Sequence, residues 1–221
     1  HNAISSPHSI YKGIYKLPPG TVLELKAGDK EPCVSQYWSL KKIAESGVDN
    51  PYQGSDQDAL RALEDVLSQS IEDQMLSDVP LGAFLSGGID SSIIVALMQA
   101  KSSQPVKTFS IGFNEYGYDE AKYVKKVARH LGTEHTELYV TSKQAMDVIP
   151  KLPEMYDEPF SDSSQIPTFL VSQLAKQSVT VTLSGDGGDE LFGGYNRHFW
   201  AKSIWNKTKH FPVFIRQLII N

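Results

Sequence analysis

The serine- and glycine-rich stretch 86–92 has the residue types of a phosphate-binding loop. It follows the apolar run 81–85 and precedes the apolar residues 93–98, an order typical of a strand, a tight loop and a helix. Glycines lack a Cβ, so backbone N–H groups can approach an anion, and the N-terminus of the following helix adds partial positive charge. The stretch therefore predicts a phosphate or pyrophosphate site, formed by Ser86, Gly87, Gly88, Ser91 and Ser92.

A second loop, residues 184–190, combines glycines with carboxylates after another apolar, β-branched run. Neither loop has a common nucleotide motif. The first lacks the lysine of a Walker P-loop, and in the second Glu190 occupies the third glycine position of a dinucleotide fingerprint. The residue types suited to binding phosphate are nevertheless present in both loops.

Alternating strands and helices are predicted to position these two loops. Strands are expected at 81–85, 106–112, 134–140 and 179–184, and helices at 56–76, 91–101, 119–131, 166–177 and from about 142. This alternation predicts an α/β fold with an open, mostly parallel sheet. Ligands of such sheets bind beyond the carboxyl ends of the strands. Because both loops follow strands, we expect them at the same rim.

Residues 1–52 do not have the pattern of a complete domain. The strand-like residues 9–17, the turn at 18–20 and the alternating residues 21–25 predict a short β-hairpin, followed by a linker over 47–55. A hairpin of this size is marginal alone, so it should dock on a neighbouring domain. The apolar end 211–220 also suggests a piece of a longer polypeptide.

The composition is that of an ordinary globular protein, with 40% hydrophobic and 21% charged residues. A net charge of -5 argues against general nucleic-acid binding. The single cysteine, Cys33, excludes an intramolecular disulfide and a cysteine-based metal cluster. There is no signal peptide and no apolar run of membrane-spanning length, which predicts a cytoplasmic enzyme or enzyme fragment without a membrane partner.

Two motifs in combination resemble a known family. Residues 86–92 (SGGIDSS) resemble the SGGxDS loop of the PP-loop ATP pyrophosphatases, and residues 183–195 resemble the synthetase domain of glutamine-dependent asparagine synthetase. Residues 131–135 and 157–159 fit the same pattern, and the first part of the chain, including 16–20, resembles the tail of a glutaminase domain. The resemblance covers nearly the whole chain.

The resemblance implies a fold of the adenine nucleotide alpha-hydrolase or PP-loop ATPase type, with helices on both faces of the sheet. It implies a glutaminase tail and linker over 1–52 and an ATP-binding synthetase domain over 53–221 whose C-terminal part is missing. It also implies an ATP-dependent amide ligase that adenylates the side-chain carboxylate of aspartate and releases pyrophosphate. Ammonia from a glutaminase domain then attacks, giving asparagine. A homodimer is compatible with this assignment.

The resemblance also implies roles for individual residues. Phe84 and Ile111 match positions that contact adenine and ribose, and Ser184 and Gly185 match backbone contacts to the nucleotide. Asp186 takes the place of a general base for the attacking ammonia, although an Asp between glycines also suits a turn.

Mg²⁺ would allow the negatively charged carboxylate and ATP to meet, since it takes oxygen ligands and bridges substrate phosphates. Asp90 and Asp189 follow two different strands and are the candidate metal ligands, with a helix cap as the alternative for Asp90.

The sequence departs from the family pattern at two places. His1 stands first, where glutaminase chemistry needs an N-terminal cysteine, so we do not expect this chain to hydrolyse glutamine. The catalytic lysine of the family is expected beyond Asn221. Two alternatives stay open: a β-lactam or natural-product amide synthetase of the same superfamily, and a nucleotide-binding regulatory module without turnover. Asp119 and Glu120 are expected to be helix-cap charges, and His135 to be structural.

Overall fold

The computed structural model describes residues 3–113, 121–213 and 215–216. The chain divides into two compact units, one formed by 1–70 with 139–173 and the other by 71–138 with 174–221. The predicted domain boundary between residues 52 and 53 remains a prediction. Over the described residues, every helix is too short or too polar to cross a membrane.

The first unit contains an antiparallel hairpin of β1 (Thr21–Glu24) and β2 (Cys33–Gln36). The predicted pairing of residues 9–17 with 21–25 is wrong. Residues 10–13 form a bend and a turn, and 14–17 form no strand, because the Ser9 hydroxyl binds the local backbone, accepting from the Tyr11 N–H at 3.0 Å and donating to the Ile14 carbonyl at 2.9 Å. These local bonds replace the interstrand ladder, and β1 pairs with the following segment instead.

Helices make up most of the remaining first unit. They are α1 (Leu40–Asp49), α2 (Asp56–Met75), which continues into the second unit, α5 (Ser142–Met146), a 3₁₀ turn (Ile149–Lys151), α6 (Leu152–Tyr156) and α7 (Gln165–Ala175). Helix α1 is absent from the sequence-based prediction, which began a linker at Gly47. The Ser39 hydroxyl caps this helix by accepting a 3.3 Å hydrogen bond from the Lys42 N–H.

The second unit is an α/β sheet with parallel pairing. Strand β3 (Leu81–Phe84) lies between β4 (Lys107–Phe113) and β6 (Val181–Leu183), parallel to both, and β5 (Glu134–Val140) adds to β4. This confirms the predicted α/β class with an open sheet. The accompanying helices are α3 (Ile89–Lys101), α4 (Ala121–Leu131), α8 (Gly188–Phe192) and α9 (Asn196–Thr208). The expected helix-cap charges Asp119 and Glu120 lie outside the described residues.

The core of the second unit packs α3 and α4 onto β3. Val95 and Met98 of α3 are completely buried, as are Ala83 of β3 and, nearly so, Val124 of α4. Strand β3 approaches its neighbour so closely that a Cβ on Gly82 would lie 2.7 Å from the Lys107 carbonyl oxygen. The closely packed, buried strand β3 therefore leads directly into the loop that follows it.

Candidate functional site

The strand order brings the two predicted loops to the same edge of the sheet. From β3 the chain moves outward to β4 and β5, and it returns as β6 on the other side of β3. The β3–β6 pair is therefore the switch point of the sheet, the place where ligands of open α/β sheets bind. Because β3 and β6 are parallel, the loops that follow them leave from the same end.

The two loops contact each other through glycines. A Cβ on Gly185 would lie 2.7 Å from the Ser91 nitrogen, and one on Gly188 would lie 2.5 Å from Asp90 Cγ. Real Cβ atoms do not approach other atoms so closely, so a side chain at Gly185 would collide with the backbone of α3, and one at Gly188 would displace the Asp90 carboxylate. The absence of side chains in the second loop allows it to contact the start of α3.

Ser91 holds the first loop in shape. Its hydroxyl accepts a 3.2 Å hydrogen bond from the Ser86 N–H, lies 2.9 Å from the Ser86 hydroxyl and donates to the Gly88 carbonyl at 3.3 Å. Only 7% of Ser91 is exposed. The Ser92 hydroxyl also donates to the Gly88 carbonyl, at 2.6 Å. Both hydroxyls are therefore used within the loop, and the exposed Ser86 hydroxyl also accepts a 3.3 Å bond from the Gly88 N–H.

Helix α3 begins without a side-chain cap. Its N-cap residue is Gly88, and among the described residues no side chain accepts a hydrogen bond from the N–H groups of the first turn. Asp90 lies in the first turn and is not the cap, so the cap alternative for this carboxylate is wrong. Uncapped N–H groups at a helix N-terminus are donors for an anion.

A cavity of about 440 Å³ opens at this loop and is lined by Ser86, Gly87, Gly88 and Tyr123. Tyr123 is absent from the sequence-based prediction. It lies at the start of α4, one residue before Val124, whose Cγ2 atom would lie 3.2 Å from a Cβ on Gly87. Its position could have suggested a role, because it lies in the first turn of the helix after β4, at the rim where these sheets bind ligands.

Asp186 is held in a turn by its neighbour. The Ser184 hydroxyl donates to Asp186 Oδ2 at 2.9 Å, and the Asp186 N–H approaches the same hydroxyl at 3.4 Å. This is the turn arrangement named as the alternative to a catalytic role. The carboxylate is nevertheless exposed, and its Oδ1 atom has no hydrogen-bond partner among the described residues.

The two candidate metal ligands point to different ends of α8. Asp90 lies against Gly188 at the start of that helix, whereas the Asp189 carboxylate lies against Gly194, just after its end. Across the described part of the chain, no group of three His, Cys, Asp or Glu side chains is placed to hold a metal ion. Phe84 ends β3 and Ile111 lies in β4, two residues past the pairing partner of Phe84.

The model of the family described as asparagine synthase matches residues 62–220, more than half of the chain. The chain belongs to the asparagine synthase family. This confirms the resemblance seen in the two loops.

Several curated proteins are similar to this asparagine synthase family member. A Methanocaldococcus jannaschii protein, whose name places it among the glutamine-hydrolyzing asparagine synthetases, is 40% identical over 223 residues, covering 96% of this chain and 40% of the relative. Asparagine synthetase (glutamine-hydrolyzing) 1 of Bacillus subtilis is 43% identical over 147 residues, covering 66% of this chain and 23% of the relative. The chain thus spans less than half the length of either relative.

Two solved structures also align with part of this family member. The NH3-dependent NAD synthetase from Campylobacter jejuni has a TM-score of 0.43 and 14% identity, over 62% of this chain and 60% of its own. The NMN synthetase from Francisella tularensis has a TM-score of 0.43 and 16% identity, over 65% of this chain and 59% of its own.

Each ring nitrogen of His135 lies within hydrogen-bonding distance of a hydroxyl group on β4. Its Nδ1 atom lies 2.9 Å from Thr108 Oγ1, and its Nε2 atom lies 3.1 Å from Ser110 Oγ. Burial, the largest influence, lowers the pKa of His135, and nearby Lys125 also lowers it while Glu137 opposes the change. The geometry fits the expected structural role, joining β5 to β4.

In the first unit, the Asp157-Glu158-Pro159 segment lines a separate cavity of about 370 Å³, together with Ile10 and Phe160. Lys16 forms an ion pair with Glu158, and the Tyr11 hydroxyl donates to the Asp157 carbonyl at 3.1 Å. Two N-terminal side chains therefore hold this segment in place.

Proposed function

We propose that this chain is the ATP-binding synthetase part of an asparagine synthetase that adenylates the side-chain carboxylate of aspartate. One observation carries the proposal: the glycine-rich loop after β6 lies directly on the Asp90-Ser91 segment at the switch point of the sheet. The anion-binding loop and the carboxylate-bearing loop thus form one composite site. Membership of the asparagine synthase family gives this site its reaction class.

The phosphate groups of ATP bind at the loop after β3. The Gly87 N–H and the exposed Ser86 hydroxyl are donors, the Gly88 N–H joins them by giving up its 3.3 Å bond to Ser86 Oγ, and the uncapped start of α3 adds positive potential. Ser91 and Ser92 support the loop from within through their bonds to Ser86 and Gly88. On this proposal Phe84 and Ile111 border the adenosine, and Ser184 and Gly185 contact the nucleotide through their backbone.

The reaction has two bond exchanges. A carboxylate oxygen of aspartate attacks the α-phosphorus of ATP, and the bond from that phosphorus to the bridging oxygen breaks, so that pyrophosphate leaves. Ammonia then attacks the activated carbonyl carbon, AMP leaves, and the nitrogen loses a proton. The exposed Oδ1 atom of Asp186 is the proposed proton acceptor, held in position by the Ser184 hydroxyl. The ammonia is supplied by a glutaminase domain.

The carboxylates of the site fit a magnesium ion only in part. Mg²⁺ is usually held by one or two carboxylates together with substrate phosphates, so a cluster of three protein ligands is not needed. Asp90 fits, because its carboxylate is beside the phosphate loop and has no hydrogen-bond or ion-pair partner among the described residues. Asp189 would have to turn away from Gly194 to join it. When bound, the ion neutralises phosphate charge.

Aspartate-dependent exchange of labelled pyrophosphate into ATP tests the proposal, using the full-length protein that contains this chain. Exchange that requires aspartate supports it, whereas exchange only with another carboxylate moves the protein to a different amide synthetase. ATP binding without exchange for any carboxylate would instead indicate a regulatory module. Asp90→Asn should abolish exchange, and Asp78→Asn, on the exposed segment before β3, serves as the matched control.

Two further parts of the proposal concern the whole protein. We place it in the cytoplasm, where aspartate and ATP are both available, and we expect a homodimer as the assembly. Light scattering of the full-length protein and fractionation of its cells test these two points independently of the exchange assay.

A further inference from the structure

The cavity at the loop after β3 has one wall that no motif accounts for. Ser86, Gly87 and Gly88 form one side, and Tyr123 of α4 forms the other. Tyr123 is 66% exposed, so burial in the core does not explain its position. Among the described residues its hydroxyl has no hydrogen-bond partner, although the ring has a cationic neighbour. A residue with an available hydrogen-bonding group thus lines the same cavity as the loop that binds anions on our proposal.

One packing contact and one backbone conformation fix where this tyrosine lies. Val124, the next residue, is buried and packs against the backbone of Gly87, the central glycine of the loop. Gly87 has a φ of +79°, a left-handed conformation that glycine adopts at little cost, so the loop can curve around Val124. The start of α4 is therefore set against the loop, and Tyr123 is carried along with it.

The charge beside Tyr123 also favours an anion. The Lys126 ammonium lies 5.7 Å from the centre of the Tyr123 ring, in a cation–π contact one helical turn further along. The neighbouring Lys125 is instead paired with Glu137. Lys126 thus places positive charge beside Tyr123, next to a loop that has no P-loop lysine.

We propose that Tyr123 is a phosphate-binding residue of this site, specific for the polyphosphate part of the nucleotide. Its hydroxyl donates to the terminal phosphates of ATP and to the pyrophosphate that leaves, and Lys126 offsets their charge. The inference rests on the proposed function, because it assumes that ATP binds at this loop. The inference adds a residue of α4 to a phosphate site that the sequence analysis assigned to the loop after β3 alone.

Binding measurements by calorimetry with pyrophosphate, ATP and AMP test this role. Tyr123→Phe removes only the hydroxyl, and loss of one hydrogen bond to a charged group should weaken the binding of pyrophosphate and ATP about 10- to 150-fold. AMP, which lacks the terminal phosphates, should bind as it does to the wild type. Lys126→Gln should weaken the same two ligands and reduce the salt dependence of their binding. Tyr52→Phe is the matched control, since Tyr52 is similarly exposed, at 62%.

The outcomes separate this inference from the proposed function. If the wild type binds ATP and Tyr123→Phe binds pyrophosphate equally well, the role of Tyr123 is wrong and the proposed function stands. If Tyr123→Phe weakens AMP as much as pyrophosphate, Tyr123 does not act on the terminal phosphates and the inference is also wrong. If the wild type binds neither ATP nor pyrophosphate, both proposals fail together.

Discussion

The Asp90 carboxylate lies against Gly188, at a distance that leaves no room for a methyl group. A Cβ on Gly188 would lie 2.5 Å from Asp90 Cγ and 2.7 Å from Oδ2. The contact joins the first turn of α3 to the first residue of α8, and so it couples the two loops of the candidate site. The position of a candidate metal ligand is thus set by the absence of a side chain on another loop.

Gly188→Ala should therefore impair nucleotide binding more than folding. The displaced atoms belong to the end of a side chain that can rotate, so the fold adapts while the carboxylate moves. We expect ATP affinity in the presence of Mg²⁺ to fall at least tenfold and the melting temperature to change little, measured by calorimetry and thermal denaturation. Gly47→Ala, in a helix with open space around the glycine, is the control. Unchanged ATP affinity in Gly188→Ala would contradict the role of this contact.

Gly185→Ala should instead destabilise the protein. A Cβ there would lie 2.7 Å from the backbone nitrogen of Ser91, and backbone cannot rotate away as a side chain does. Overpacking of this kind costs roughly 1–3 kcal/mol, which urea denaturation can measure. A free energy of unfolding equal to that of the wild type would mean that the loops separate freely. Comparison with Gly188→Ala then distinguishes a clash with backbone from a clash with a side chain.

Ser91→Ala should destabilise the loop after β3, because Ser91 supports this loop through hydrogen bonds from inside. The change leaves the Ser86 N–H without its side-chain acceptor in a partly buried place, which costs about 1–3 kcal/mol of stability. ATP affinity should fall with it, because the loop loses its internal support. Ser92→Ala serves for comparison, since among the described residues the Ser92 hydroxyl bonds only to the Gly88 carbonyl, and its loss leaves no N–H unpaired. Equal stability of the two variants would contradict a special role for Ser91.

Stability should fall as the pH drops below about 6.5, the ordinary pKa of histidine, because of His135. Burial lowers the pKa of His135 in the folded state, so in this range the unfolded chain binds more protons than the native protein. The contribution of neutral, buried His135 to the free energy of unfolding is therefore complete above pH 6.5. It declines as the pH falls from there to the lowered pKa of the folded state. Urea denaturation from pH 8 to pH 5 measures it.

His135→Gln should reduce that pH dependence. His130→Gln, at an exposed position in the last turn of α4, should retain the full dependence. Equal slopes for the wild type and His135→Gln would show that other groups determine the acid sensitivity.

The sequence predicted the sheet well because its strands are short apolar runs separated by turn residues. It failed where local hydrogen bonds compete with that pattern. Residues 9–17 alternate like a strand, yet the Ser9 hydroxyl satisfies the nearby backbone and the segment turns. Helix α1 was missed because Gly47 suggested a linker, whereas Ser39 caps the helix eight residues earlier along the chain.

The parts of the candidate site that lie within one contiguous motif could be predicted from the sequence. The two glycine-rich loops follow β3 and β6, and their meeting follows from the strand order. Tyr123 was not predictable in the same way, because nothing in its own neighbourhood marks it. Its place in the cavity depends on how Val124 packs against Gly87, a contact between residues far apart in sequence. Side-chain orientations, such as that of Asp189 toward Gly194, are likewise set by packing.

The central position of β3 has a consequence for the isotope exchange of backbone amides. Among the described residues, the Leu85 N–H is the last amide after β3 that bonds to the sheet, donating to the Phe109 carbonyl at 3.0 Å, and the next amide, of Ser86, has only the Ser91 hydroxyl as its partner. Deuterium uptake should therefore change between these two neighbours, slow up to Leu85 and faster over residues 86–88, before the hydrogen-bonded turns of α3 begin. A bound nucleotide would slow exchange across the loop as well, so the exchange rates of these loop amides report whether the site is occupied.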